Sequence, residues 1–556
     1  MSFINAMNGS TMKDSVMKDS VMKDTAVKKG VNGATVYTED GVGDKRVALF
    51  TMLNRNLDRE YLQQSVRDIF HTSLEHQLDL FQMAFHTRDV RGGKGEKKLF
   101  YDFIEVLYEM DPEVTRDMMQ HVPEYGCWRD MWELIQRIPG LSESILKVVK
   151  ETFFSDRLHF STGNSGKLSL LSKWLPREGS KTYKGLAKTI AAVLYSTLTS
   201  ERAQLITYRK EVSAMNRALQ TVEIAMCGNS WAQIKPDAVP GRCLKIHTTA
   251  FFNKPCKKSS TELRYPDSVD RMECRDHFIE HNKGLQSGTK KVHGANVVMP
   301  HELVIKVLDH YTTVEEHVIN QAQWESIRSE LQKGGGLGKA VAMCDFSGSM
   351  NGLPKLISLS LGILISEVTH PSFRDHILSF DSTPKWHSFA SCTTLQEKVK
   401  SIPSALGHGL STDFYKACLT ILDRMIEHKV PVGEEPEDLI VLTDMGFDDT
   451  VRRHSSDTEV FMLQNIRDLF KAAGESVWGQ GWKPPRIVIW NLRAEYNDFH
   501  ATDHQEGVVQ LSGWSPSMLK ALQKGRIEVL TPFQGMMALI GDKRYHPILR
   551  TWHRHM

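Results

Sequence analysis

The eight cysteines of this 556-residue chain include no C-x-x-C pair, which argues against a zinc ribbon or a dense disulfide framework and fits reduced thiols. No run of about 18 apolar residues occurs and the first residues are polar, so neither a membrane span nor a secretory signal is read; a soluble cytoplasmic protein is expected. Charge of one sign is also missing. With 69 Lys and Arg against 67 Asp and Glu the formal net charge is +2, so any nucleic-acid binding must come from local basic patches. What is present, 41% hydrophobic and 24% charged residues, is the composition of a folded globular protein. The length is too great for one hydrophobic core and predicts two or three domains.

Residues 1–44 read as a low-complexity leader and then a turn-rich segment. The leader repeats a five-residue unit, Met12 to Val16, Met17 to Val21 and Met22 to Ala26, too short for a solenoid repeat. Gly30, Gly33, Gly41 and Gly43 punctuate the turn-rich segment. Over 45–335 the apolar period is helical: Leu99, Phe100, Phe103, Ile104 and Leu107 recur at spacings of three and four, a stripe for one helix face. Similar stripes at 74–85, 131–138, 168–175, 186–198 and 212–227 predict stacked antiparallel helix pairs. Residues 240–297, rich in Lys, His, Ser and Gly with little period, read as a basic insertion or connecting loops.

From 336 to 556 short apolar runs alternate with amphipathic helices. Runs at 340–344, 377–380, 439–442, 487–490 and 508–511 read as strands buried on both faces, and 356–368, 414–426 and 517–522 as helices. The expected class is therefore α plus α/β, a helical repeat region followed by a doubly wound, mostly parallel sheet with its functional groups at the carboxyl ends of the strands.

At one such end stands Asp345-Phe346-Ser347-Gly348-Ser349. A tight turn there aims one carboxylate and two hydroxyls at a common point, hard oxygen ligands for a divalent cation such as Mg²⁺ or Mn²⁺. The same sheet edge should carry Thr412, before a helix, and Asp444, after the 439–442 strand. The competing reading is that Ser347 and Ser349 cap the next helix. Catalytic signals fail: Gly338-Lys339 lacks the first Gly and the Ser/Thr of a phosphate loop, and Gly92-Gly93-Lys94-Gly95 follows no strand. Neither a nucleophile with its base nor a second acid cluster accompanies the site, and no enzymatic reaction is expected.

The set Asp345, Ser347, Ser349, Thr412 and Asp444 resembles the metal-ion-dependent adhesion site (MIDAS) of von Willebrand A domains. That resemblance implies first-loop ligands Asp345, Ser347 and Ser349, second-loop ligand Thr412, and Asp444 as a third-loop carboxylate often acting through water. It also implies an ion that recruits an acidic side chain of a protein partner. Met445 departs from the pattern, since Gly often follows the third-loop Asp. Together with His86 to Lys98, Gly126 to Asp130, Lys173-Trp174-Leu175-Pro176-Arg177, Tyr208 to Lys210 and Trp231 to Ile234, the site resembles the TROVE-plus-von-Willebrand-A layout of the Ro autoantigen. The chain is more similar still to the Ro-like family of plants, fungi and large DNA viruses. The resemblance implies HEAT-like helical repeats that bind small structured RNA in a ribonucleoprotein.

Two basic stretches are the RNA candidates, Arg88, Arg91, Lys94, Lys97 and Lys98 in one, and Arg242, Lys245, Lys254, Lys257 and Lys258, with interleaved aromatics, in the other. The bland readings are a helix connection in which Arg88 and Asp89 pair locally, and solvated surface. Trp128, Trp174 and Trp231 read as packing anchors, and His500, His504, His546, His553 and His555 as surface or tail residues. The alternative function is a protein-binding assembly or structural factor, virion-associated if viral, that binds no RNA.

Overall fold

The structure, a computed structural model, describes residues 26–255, 262–379, 384–402, 414–447, 462–523 and 531–556. It has the α plus α/β class expected. The helix Lys97–Met110 buries Leu99, Phe100, Phe103, Ile104 and Leu107 as its spacing predicts. The helix Leu74–Arg88 starts where the Ser73 hydroxyl accepts the His76 N–H at 3.4 Å, satisfying one of the free amides of a helix start. These two pack with Arg59–Phe70 as a helical layer.

Three expectations are corrected. The segment 240–297 is mostly helix, Gly241–Phe251 and Val269–Gln286. Its stripe is carried by few apolar residues, Cys274, Phe278 and Leu285, set among charged ones, so composition hid the period. They join Trp231, Phe251 and Phe252 in a small separate core, with the Phe251 and Phe278 rings stacked at 4.3 Å. The stripe at 212–227 is broken, because Gln220 takes a left-handed φ of 48° between the helices Glu201–Ala218 and Val222–Cys227. Pro516–Leu522 winds as a 3₁₀ helix. The turn-rich stretch near residue 30 holds a strand pair, β1 Val27–Lys29 and β2 Thr35–Tyr37.

The C-terminal sheet contains β3 Ala340–Cys344, β4 His376–Ser379, β5 Lys385–Ser388, β6 Asp438–Thr443, β7 Arg486–Asn491 and β8 Val508–Ser512. Its order is β5-β4-β3-β6-β7-β8, parallel throughout except for the antiparallel edge strand β5. Every residue of β3 is buried, and alternate residues serve opposite faces, as the pleat requires. Ala340, Ala342 and Cys344 pack with the helix Leu353–Val368, while Val341 and Met343 pack with Phe414–Glu427 and Met462–Trp478. Gly362 permits the first of these approaches: a Cβ there would stand 2.3 Å from the Cys344 sulfur.

The core under β3 continues without a break into the helical region. The helix Lys45–Met52 lies on β8, where Thr51 Oγ1 donates to Gln510 Oε1 at 3.1 Å and Asn491 Nδ2 donates to the Thr51 carbonyl at 3.1 Å. Beyond the sheet the chain returns to the helices. Arg544 Nη2 reaches Asp89 Oδ1 at 2.8 Å, and His121 Nε2 pairs with Thr551 Oγ1 at 2.8 Å. Among the described residues no helix is long and apolar enough to cross a membrane.

Candidate functional site

The strand order reverses between β3 and β6, because the chain runs outward from β3 to β4 and β5, then crosses back to β6, β7 and β8. A crevice opens at the carboxyl ends of such a pair, the usual ligand position in doubly wound sheets. Asp345 follows β3 and Asp444 follows β6, so the topology brings these two predicted residues together. Ser347 and Ser349 share the first loop, their hydroxyls 3.1 Å apart. Thr412 lies outside the described residues.

Asp345 is fully buried. One oxygen accepts the Ser347 N–H at 2.9 Å and the other the Thr443 hydroxyl at 2.9 Å. Burial first, and the neighbouring Asp444 carboxylate second, push its carboxyl above the usual carboxylate range. Asp444 is equally buried: Oδ1 accepts the Gly446 N–H at 3.1 Å, and among the described residues Oδ2 has no hydrogen-bond partner. Two desolvated carboxylates beside each other are costly unless one of them takes up a proton or a cation joins them. The donor set fits a hard divalent cation. Among the described residues no three His, Cys, Asp or Glu side chains cluster as metal ligands; the further oxygens that the first loop offers beside the two carboxylates are the Ser347 and Ser349 hydroxyls.

The third loop is unusual. Met445 adopts φ 77°, a left-handed conformation that costs an L-residue about 1–2 kcal/mol. Its carbonyl accepts the His500 Nε2–H at 2.8 Å, and His500 is buried, which corrects its reading as a surface residue. The Phe447 ring packs on His500 at 4.2 Å and on Phe414 at 5.1 Å. Sequence reading also missed Arg493, just past β7, whose guanidinium donates to the Ser349 carbonyl, and Asn32, whose Nδ2 donates to the Gly446 carbonyl at 2.8 Å. Position after a strand end was the signal available for Arg493; none existed for Asn32, more than 400 residues away.

The basic candidates divide. Arg88 is buried and pairs with Asp130 at 2.7 Å, so the expected local pair with Asp89 does not form. Asp89 pairs instead with Arg544. Lys94 is fully buried, its ammonium donating to the Phe50 and Leu53 carbonyls at 3.2 and 3.0 Å and to the Ser512 hydroxyl. Arg91 and Lys98 are exposed and Lys97 is partly so. Arg242 and Lys245 share Glu302, and Lys254 pairs with Glu315; Lys257 and Lys258 lie outside the described residues. The two stretches belong to different cores. Trp128 and Trp231 are buried as anchors, whereas Trp174 is 36% exposed. A cavity of about 1150 Å³, lined by Lys291, Val318, Gln321 and Leu395 among others, contains none of the predicted residues.

Fold and site thus define an α plus α/β protein with a buried acidic pair at the switch point of its sheet. Residues 146–337 match the model of a domain of unknown function, DUF2828, and residues 339–533 that of another, DUF7788. The chain is similar to Uncharacterized protein L728 of Acanthamoeba polyphaga mimivirus, 24% identical over 485 residues, covering 84% of this chain and 80% of that protein. No solved structure matches the chain significantly.

Proposed function

We propose that this chain is a non-enzymatic scaffold whose sheet domain works as a von Willebrand A-type, Mg²⁺- or Mn²⁺-dependent adhesion site for an acidic side chain of a protein partner. The observation that carries the reading is the orphaned, buried Asp444 Oδ2 beside Asp345 at the switch point. Asp345, Ser347, Ser349 and Asp444 would hold the ion, with Thr412 as the further ligand that the resemblance implies. The bound ion supplies an electrophilic position that an incoming carboxylate completes. Titration calorimetry with Mn²⁺ and Mg²⁺ tests this: the wild type should bind with one site, and Asp345→Asn should weaken binding at least about tenfold. A folded wild type that takes up neither ion at millimolar concentration overturns the reading.

A second reading, Ro-like binding of small structured RNA by the helical repeats, is supported by the exposed Arg91 and Lys98 with the partly exposed Lys97 beside a glycine-rich turn. Against it stand the inward-facing Arg88 and Lys94 and the ion pairs of Arg242, Lys245 and Lys254. Those favour the assembly or structural factor, virion-associated in a viral setting, over a ribonucleoprotein. RNA affinity that falls steeply with salt would restore the second reading.

A further inference from the structure

We infer that the N-terminal strand pair clamps the third acidic loop, and that Asn32 in its turn is a positioning residue for Asp444. The inference rests on the metal-site reading for its consequence, though not for its geometry. The loop Asp444 to Phe447 does not hold its shape by local preference, since Met445 sits in a left-handed conformation that favours glycine. Local hydrogen bonds, Met445 N–H to Thr443 Oγ1 at 3.2 Å and Gly446 N–H to Asp444 Oδ1 at 3.1 Å, hold it from within, and contacts from outside the loop reinforce them.

Two contacts do so, and both lead to the strand pair. The first is direct. Asn32 Nδ2 donates to the Gly446 carbonyl at 2.8 Å, while the Gly446 N–H is donated to Asp444 Oδ1 at 3.1 Å. Gly446 is therefore gripped by Asn32 on one side and fixes one oxygen of Asp444 on the other, which leaves Oδ2 as the oxygen able to meet an ion. The approach is close: a Cβ on Gly446 would stand 3.2 Å from both Asn32 Nδ2 and Asp444 Oδ1.

The second contact runs through Asp498 to His500. Asp498 is 3% exposed; it accepts the Val31 N–H at 2.9 Å and pairs with Lys28 at 3.1 Å. One residue on, the Tyr37 N–H is donated to the Phe499 carbonyl at 2.8 Å. One residue further, His500 donates to the Met445 carbonyl at 2.8 Å. The strand pair thus fixes the segment whose histidine holds Met445, and it touches Gly446 itself. Gly33, at φ 91°, closes the turn that presents Asn32.

The test compares full-length wild type with Asn32→Ala and with Asn32→Gln, a longer amide that keeps the donor. Hydrogen–deuterium exchange of the peptide spanning 443–447 in metal-free protein is one readout, and Mn²⁺ affinity by calorimetry is the other. Asn32→Ala should speed exchange of that peptide and weaken Mn²⁺ each by about fivefold, the scale of one net hydrogen bond. The 340–350 peptide should be unchanged and the melting temperature should stay within about 2 °C. Asn32→Gln should recover part of both. Unchanged exchange overturns the inference, whatever happens to Mn²⁺. Faster exchange with unchanged affinity, in a wild type that binds Mn²⁺, also overturns it, because the loop would then loosen without moving Asp444. Should the wild type bind no Mn²⁺, the metal-site reading falls and exchange alone decides the clamp.

Discussion

Buried charge is handled in opposite ways in the helical layer and at the sheet edge. Around Asp130 the charges are closed: Arg88 supplies the cation at 2.7 Å, and the Tyr101 hydroxyl and Cys127 N–H donate to the same carboxylate at 2.6 and 2.9 Å. Around Asp345 and Asp444 the partners among the described residues are neutral hydroxyls and amides, and one carboxylate oxygen has none there. The first carboxylate meets a cation of the chain; among the described residues the second pair meets only neutral donors. A basic residue in the sequence is therefore a poor guide to an exposed cation here, since Arg88 and Lys94 are both buried.

The largest effect should come from opening the closed network. Arg88→Ala strands a buried Asp130 carboxylate and should cost about 3–5 kcal/mol, read as a lower urea midpoint or loss of folded protein. If the variant melts with the wild type, the pair is not structural, and Arg88 is again a residue able to meet a phosphate.

Next comes a buried group closed by neither route. His301 is 4% exposed, its Nδ1 has no partner among the described residues, and its ring meets Trp514 edge-on at 5.5 Å. Burial lowers its pKa to about 4. A depressed histidine contributes stability that is complete above the unfolded value near 6.5 and is lost as pH falls toward the folded value near 4, where the loss levels off. The full swing is on the order of 3 kcal/mol. His301→Phe should flatten the melting-temperature decline between pH 6.5 and 4; an unchanged slope would show that the ring is reached by water.

At the open site the sign should reverse with metal. Asp345→Asn removes repulsion from a desolvated pair, so the metal-free variant should melt above the metal-free wild type. At a cation concentration roughly a hundred times Kd the wild type should gain about 2.7 kcal/mol, and the variant almost none. A variant that melts lower in both conditions would make Asp345 a structural residue like Asp130.

The sheet domain was legible because burial on both faces forces continuous apolar runs, and the strands at 340–344 and 508–511 fall within one residue of their observed ends. The edge strand β5, with Lys385 and Ser388 exposed, carries no such run and was missed. The helices of 240–297 were hidden because a small core of Trp231, Phe251 and Phe278 needs few apolar residues. Asp345, Ser347 and Ser349 were readable as one local motif, and Asp444 as a strand end. Asn32 and His500 were not, because their role exists only through the long-range docking of β1 and β2 on the Asp498 to His500 segment.

The smallest effect on stability, and the sharpest on the contrast between the two regions, belongs to the exposed and half-exposed cations of the 91–98 stretch. Arg91 donates to the Glu124 carbonyl at 2.7 Å and Lys97 stands 4.0 Å from Asp130, but both cations stand at the surface. Arg91, Lys97 and Lys98 should therefore tolerate charge removal together within about 0.5 kcal/mol per site, in contrast to Lys94, whose ammonium joins Phe50, Leu53 and Ser512 across the two regions. The triple variant is therefore a clean probe of phosphate binding. If the helical layer binds RNA, removing one phosphate-neutralising cation should reduce the slope of log affinity against log salt by about 0.7–0.9. Equal affinity of wild type and variant between roughly 50 and 200 mM salt would mean that these three cations neutralise no phosphate.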